Sequence, residues 1–268
     1  MGIAADDDAR VEIAASHDRE RLAADLRGAV ERGEIIAYYQ PQLAIDSRQI
    51  VSAEALSRWI HPELGVILPG EFIPLAEEHG LIGDIGDHMI GLGCQSAADW
   101  LHRGLSIEVA VNVSAIQLRD AGFADRLVDA IHAARLDPRL LTIEVTESTE
   151  IIDVSSVAER LDWLRSVGVT ISVDDFGTGH SSVERVIDLR AKELKIDQGL
   201  VQDDSTGARI LLGAVVAFAH GKGLRVVAEG VETEDQLERV RELHCDRAQG
   251  YLLGRPVPRA EFDRLLAG

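Results

Sequence analysis

Five residues able to bind ions or move protons, Glu54, Asn112, Glu144, Asp174 and Lys195, each lie in a short run rich in β-branched residues. Successive side chains of a strand point to opposite faces, so parity within each run says which way these groups face. In 109–114, Val109, Val111 and Val113 form an apolar row that Asn112 opposes, and in 141–146 Ile143 and Val145 oppose Glu144. In 169–174, Val169, Ile171 and Val173 oppose Asp174, and in 194–197 Leu194 and Ile196 oppose Lys195. If the apolar rows pack under outer helices, the five polar groups point inward together from the late ends of different strands. Any one of them alone reads more simply as a surface or salt-bridged residue; five of matching parity and position read as a site.

The chemistry follows from the residue types. Carboxylates crowded into a cleft repel one another, and an unpaired buried one takes up a proton rather than stay charged. Lys195 can offset only one of them. Oxygen donors without thiolate or imidazole suit hard cations, Mg²⁺ or Mn²⁺, better than zinc. The adjacent Asp174 and Asp175 fit a two-ion arrangement, in which one carboxylate bridges and its neighbour completes the second site, as used for in-line attack on phosphate. The following Phe176-Gly177-Thr178-Gly179 is by itself only a turn signal. No P-loop, GxSxG, HExxH or dinucleotide-type glycine trio is present.

Eight β-rich runs could carry these groups: 35–43, 50–56, 107–113, 141–146, 169–174, 193–197, 224–229 and 244–250. Helices are marked between them by apolar steps of three and four: Val154, Val157, Leu161, Leu164; Leu211, Val215, Phe218; and Leu237, Val240, Leu243. Thr233 and Gln236 have capping-box spacing before the last of these. Alternating strands and helices over 268 residues match a (β/α)₈ barrel, although an open doubly wound sheet has the same periodicity. The expected organisation is a short solvated tail over 1–17 and one domain over 18–268.

Composition limits the partners. With 27 Lys+Arg against 46 Asp+Glu, the net charge is −19, which opposes a nonspecific grip on a nucleic acid polymer or an anionic membrane. An anionic substrate then needs bound cations or a few placed basic groups. The longest apolar run, Ile210 to Ala219, is about half of what a spanning helix needs, and no signal segment opens the sequence. Cys94 and Cys245 have no CxxC or zinc-like spacing, so a reducing cytoplasm is the expected compartment.

With these residues assembled, the sequence resembles the EAL-domain family of cyclic di-GMP phosphodiesterases. The motifs are YYQPQ at 38–42, EALSRW at 54–59, HPELGVILPGEFIPLAEEHGLI at 61–82, VNVSAIQL at 111–118 and IEVTES at 143–148. They continue with DDFGTGHSS at 174–182, LKID at 194–197, VVAEGVET at 226–233 and QGYLLGRPVP at 249–258. The resemblance runs from about Asp18 to the C-terminus. It implies a modified TIM barrel, (β/α)₈, whose first strand is antiparallel, and hydrolysis of cyclic di-GMP to linear pGpG by a metal-activated water.

Carried over by position, it further implies that Glu54, Asn112, Glu144 and Asp174 hold one Mg²⁺ or Mn²⁺ while Asp174, Asp175 and Glu229 hold a second. Lys195 would hold or polarise the water, and Glu229 is either a ligand or a general base. Arg58 would contact a phosphate, Gln40 and Leu56 would border the dinucleotide, Gln249 would orient this region, and Glu147 would brace the loop after Asp175. A homodimer is implied by analogy. Ser57, His180, Leu200 and Ala191-Lys192 depart from the family pattern, none at an expected ligand position. Two rivals remain: a receptor that binds cyclic di-GMP without turnover, and an aldolase-like barrel with Lys195 as a Schiff-base nucleophile.

Overall fold

A computed structural model describes residues 16–146, 154–178 and 183–267. Helix α1 (Ser16–Leu26) precedes β1 (Ile35–Ala44), β2 (Ile50–His61) and β3 (Gly65–Ile67). Then come α2 (Pro69–Glu78), α3 (Ile82–His102), β4 (Glu108–Asn112), α4 (Ala115–Arg119) and α5 (Phe123–Ala134). The middle of the chain supplies β5 (Leu141–Thr146), α6 (Val154–Val167), β6 (Thr170–Phe176), α7 (Val183–Asp188), β7 (Glu193–Ile196) and α8 (Gln198–Gln202). The last part holds α9 (Thr206–Gly221), β8 (Arg225–Ala228), α10 (Glu234–Glu242), β9 (Arg247–Gln249), β10 (Val257–Pro258) and α11 (Arg259–Leu265).

Strands pair in the order β10-β1-β9-β8-β7-β6-β5-β4-β2-β3, and an additional β1–β2 ladder closes the ring. Eight strands therefore form a barrel, while β3 and β10 are short appendages. β1 is antiparallel to both barrel neighbours, β2 and β9, and the remaining barrel pairs are parallel. Chain length explains the reversal: only residues 45–49 join β1 to β2, whereas a parallel crossover needs about a dozen.

The apolar rows pack as parity predicts. Val109, Val111, Ile143, Val145, Ile171, Val173, Leu194 and Ile196 are all buried and face the helical shell. Helix starts follow local chemistry. Thr233 and Gln236 form both halves of a capping box on α10, whose first turn carries Glu234 and Asp235 and whose last turn carries Arg239 and Arg241. Ser114 and Gln117 make a second capping box, on α4.

Several strand bounds differ from the sequence reading. β2 runs on from 56 to His61 because its far end leaves the ring and pairs with β3. Consequently Glu54 lies mid-strand rather than at a late end. The run 244–250 contains only the three-residue β9, and β6 extends through Asp175 to Phe176. Residues 1–15 of the expected tail lie outside the described residues. No helix among those described is long and apolar enough to cross a membrane.

The N-terminal mouth of the barrel is closed by charge. Glu108, Glu193, Arg225 and Arg247, each the first residue of its strand, meet there. Arg225 Nε lies 2.6 Å from Glu193, Arg225 Nη2 2.9 Å from Glu108, and Arg247 Nη2 2.6 Å from Glu108. Burial raises the Glu108 carboxyl pKa, but the hydrogen bond and charge of Arg247, with the charge of Arg225, outweigh it and leave the value below 4.5. A depressed folded-state value stabilises the fold above the unfolded value and loses that contribution as pH falls through the folded one. Glu108→Gln is therefore expected to cost about 2 kcal/mol at pH 7 and to flatten the acid limb of stability below pH 4.5. Urea melts of both proteins across pH 3–7 check this; parallel acid limbs would refute it.

Candidate active site

At the opposite mouth, Lys195 organises the inward-facing groups. Its side chain is 1% exposed, and its ammonium lies 2.8 Å from Glu144 Oε2, 2.8 Å from Glu229 Oε1, 3.2 Å from Asp174 Oδ2 and 3.5 Å from Glu54 Oε2. Asn112, the exposed last residue of β4, donates Nδ2 to Glu54 Oε1 at 2.7 Å. The structure thus sets three of the residues singled out by parity, Glu54, Glu144 and Asp174, around the ammonium of a fourth, Lys195, and joins the fifth, Asn112, through Glu54.

One cation against four carboxylates leaves an excess of negative charge, and the pKa shifts show how it is distributed. Burial would raise Glu54, but Lys195 and hydrogen bonds from Gln249 and Asn112 leave it below its ordinary value. Glu144 accepts from Lys195 but has, among the described residues, no amide donor like those on Glu54, and it is raised well above 4.5, first by burial and then by the Glu54 charge. Asp174 is raised by burial, with Lys195 opposing and Glu54 reinforcing. Burial pushes Glu229 up to about 8, and burial with the Asp174 charge takes Asp175 to about 6. Lys195, drawn by the four carboxylates against its burial, is held well above 10.5.

Asp175 and Glu229 owe their positions to backbone. Asp175 adopts φ 60°, a left-handed conformation that aspartate tolerates better than most residues, and its N–H donates to Asp174 Oδ1 at 2.9 Å. The pair therefore does not alternate like ordinary strand neighbours. Glu229 leaves β8 with its N–H on Ile196 O at 3.1 Å. Gly230 follows at φ 65°, where a Cβ would sit 2.2 Å from Gln198 Cβ, so the chain turns there only with glycine. As a result, oxygens of Asp174, Asp175 and Glu229 lie within 4.8 Å of one another.

These groups fit a divalent cation. The donors are all oxygen, three of them already converge, and Glu144 Oε1 is buried with no hydrogen-bond partner. Among the described Asp, Glu, His and Cys residues this is the only trio so gathered. Glu54 and Glu144 are spaced around Lys195 instead, and Asn112 turns its nitrogen, not its oxygen, toward them.

The remaining expected residues divide. Gln249 donates to both Gln40 Oε1 and Glu54 Oε2, so Gln40 and Gln249 belong to the cluster. Leu56 lines a cavity of about 880 Å³ that opens beside Glu54, Asn112, Asp174 and Asp175 and runs to apolar walls on α2 and α3. Arg58 donates to Ser57 O and lies over the Tyr38 ring at 5.3 Å; it is not among the cavity's lining residues. Glu147 and His180 lie outside the described residues.

Two buried amides went unread in the sequence. Gln117 lines the cavity with Nε2 unpartnered, against Gly86, where a Cβ would meet it at 1.9 Å. Its signal was the Ser114/Gln117 spacing, the same capping pattern recognised at Thr233. Gln42 donates to Gln249 Oε1 at 2.9 Å, and its parity with Gln40 on β1 was the available clue.

The fold and site together are a closed barrel with one reversed strand and a carboxylate cluster around a buried lysine at its C-terminal mouth. A family model described as "EAL domain" matches residues 23–256, and the chain belongs to that family. It is 43% identical over 247 residues to the bifunctional diguanylate cyclase/cyclic di-GMP phosphodiesterase MucR of Pseudomonas aeruginosa, covering 91% of this chain and 36% of that protein. It is 39% identical over 248 residues to the oxygen sensor protein DosP of Escherichia coli, covering 91% and 31%. The solved cyclic di-GMP complex of the PaMucR phosphodiesterase superposes with a TM-score of 0.85 at 41% identity, covering 90% of this chain and 99% of that one. The chain spans about a third of the length of these curated relatives.

Proposed function

We propose that this chain hydrolyses one phosphodiester of cyclic di-GMP to linear pGpG, using two divalent cations, Mg²⁺ or Mn²⁺. The observation that carries this reading is the convergence of Asp174, Asp175 and Glu229 oxygens within 4.8 Å, beside Lys195 and at the rim of a cavity able to take a nucleotide. Cyclic di-GMP as the ligand is supported by the complex solved for the 41% identical relative.

In this reading Asp174, Asp175 and Glu229 hold one cation, and Glu54, Asn112, Glu144 and Asp174 hold the other after the Asn112 amide turns its oxygen inward. Bound cations would neutralise the phosphoryl oxygens, acidify the attacking water and stabilise the leaving 3′-oxygen. Lys195 supplies fixed positive charge that lets the carboxylates coexist, and it orients the water by donating a hydrogen bond. Glu229, pushed up to about 8 by burial in the metal-free protein, would lose that proton when a cation binds beside it, and it then acts as ligand, as base, or as both in turn. Gln249 aims Glu54, Leu56 and Gln40 border the substrate, Arg58 swings from Ser57 O to a phosphate, and Glu147 braces the loop beyond Asp175.

The test is incubation of the pure protein with cyclic di-GMP and Mg²⁺ or Mn²⁺, followed by chromatography for pGpG. Binding without product would favour the receptor reading. Excess EDTA is expected to lower the rate more than about tenfold, and Ca²⁺, larger and content with irregular coordination, to restore it only in part; a rate indifferent to EDTA would exclude the cation requirement. Lys195 is held protonated by four carboxylates, so borohydride with a carbonyl substrate is expected to trap no adduct. A cytoplasmic setting is supported by Cys94 and Cys245, buried unpaired thiols whose pKa burial pushes up to about 12. A homodimer is the proposed assembly, read out by sedimentation.

A further inference from the structure

Three glutamines beside the carboxylate cluster form a directed chain whose direction is set by one backbone atom. The Gly254 carbonyl only accepts, so Gln40 presents Nε2 to it at 3.1 Å, which turns Gln40 Oε1 inward. Gln249 must answer that oxygen with Nε2, at 3.0 Å, and the same nitrogen gives its second hydrogen to Glu54 Oε2 at 2.6 Å. Gln249 Oε1 therefore faces the other way, where Gln42 Nε2 donates to it at 2.9 Å. Each amide has one workable orientation once its neighbour is set.

Gln42 occupies the far end of this chain. It is 1% exposed, pairs across the ladder with Gln249, and has no hydrogen bond to any of the four carboxylates. Its own Oε1 is buried without a partner. An amide kept only to fill space or stabilise the fold would have both ends satisfied, because an unpaired buried acceptor works against stability. What Gln42 does supply is a donor aimed at Gln249 Oε1. Were the Gln249 amide to turn over, its oxygen would take the place of the nitrogen now 2.6 Å from Glu54 Oε2, setting two acceptors in contact.

We propose that Gln42 is a positioning residue for the hydrolytic site: by donating to Gln249 Oε1 it holds in place the amide whose orientation Gln40 and Glu54 select, and so keeps the Glu54 carboxylate aimed at the cation. The inference rests on the proposed cation-dependent hydrolysis for its activity readout, whereas the amide orientation is measurable without it.

The experiment uses the full chain with Gln42→Met, which keeps length and loses the donor, and Gln42→Lys, which keeps a donor on a chain of similar reach. In Gln42→Met, Mn²⁺ affinity by calorimetry and kcat for cyclic di-GMP are expected to fall together by roughly tenfold, the lower end for losing a partner that orients a ligand. KM and Tm should stay near wild type, since the variant also removes the unsatisfied Oε1. Gln42→Lys should regain most of both losses. In metal-free wild type, the Gln249 side-chain NH₂ protons, both donated, should exchange slowly with solvent by NMR, and at least about tenfold faster in Gln42→Met.

Wild-type Mn²⁺ affinity and amide exchange in Gln42→Met would overturn the proposal, as would a lowered Tm with no recovery in Gln42→Lys. If Gln42→Met does not fold, fast exchange of the Gln249 amide in wild type is the overturning result. Absence of pGpG from wild type would remove the proposed activity while leaving Mn²⁺ affinity and amide exchange to decide the role of Gln42.

Discussion

Glu54→Ala is expected to lower cyclic di-GMP turnover by about 10³-fold, the scale of the several kcal/mol that correct placement of a catalytic cation supplies, while the barrel stays folded. The carboxylate is buried among polar partners: it accepts from Asn112 and Gln249 and faces Lys195. Its removal strands two amide donors, a cost of about 1–3 kcal/mol each at most, but also relieves the repulsion that raises Glu144, Asp174 and Glu229. The two effects oppose each other, so Tm should move by only a few degrees. Circular dichroism melts beside the pGpG assay separate activity from folding, and wild-type turnover in a folded Glu54→Ala protein would remove Glu54 from the site.

Lys195→Met should do damage of a different kind. Among the described residues its ammonium is the one cation paired with Glu54, Glu144, Asp174 and Glu229, and breaking a buried pair by removing one partner costs about 3–5 kcal/mol. Turnover should vanish and Tm should drop by roughly 10 °C. The loss should also depend on pH with a definite sign. Asp175 and Glu229 already sit at about 6 and about 8 in the folded protein, above the 3.8 and 4.5 of the unfolded chain. Groups raised in this way favour the fold when protonated, so metal-free stability falls as pH rises from about 4 toward 8. Without Lys195 these values climb further and the decline steepens. Denaturant melts from pH 5 to pH 9 in EDTA test this; a variant whose stability rises with pH over that interval would contradict the role assigned to Lys195.

Much of the site was legible because strand parity is local. Whether Glu144 opposes Ile143 and Val145 depends on a two-residue repeat that no tertiary contact alters, and the same holds for Asn112, Asp174 and Lys195. The reversed first strand was legible too, in principle: the six residues between the runs 35–43 and 50–56 are too few for a parallel crossover. Periodicity marked strands without counting the gap between them, so the reversal came only from the family resemblance.

Other features could not be read this way. Gln42 and Gln117 look like ordinary polar residues until the ladder sets Gln42 beside Gln249 and α4 lays Gln117 against Gly86. Nor does alternation foresee Asp175, whose left-handed backbone breaks the very rule that placed Asp174.

The sequence by itself determined which side chains face inward, that they are hard oxygen donors around one lysine, and that they ride on alternating strands and helices. Those properties follow from covalent geometry and composition. Only the closed barrel decided that residues 195 positions apart, Glu54 and Gln249, share a hydrogen bond, that one ammonium answers four carboxylates, and which of those carboxylates keeps its charge. Such outcomes depend on distance and burial, and both are set by the register of strands distant in the chain.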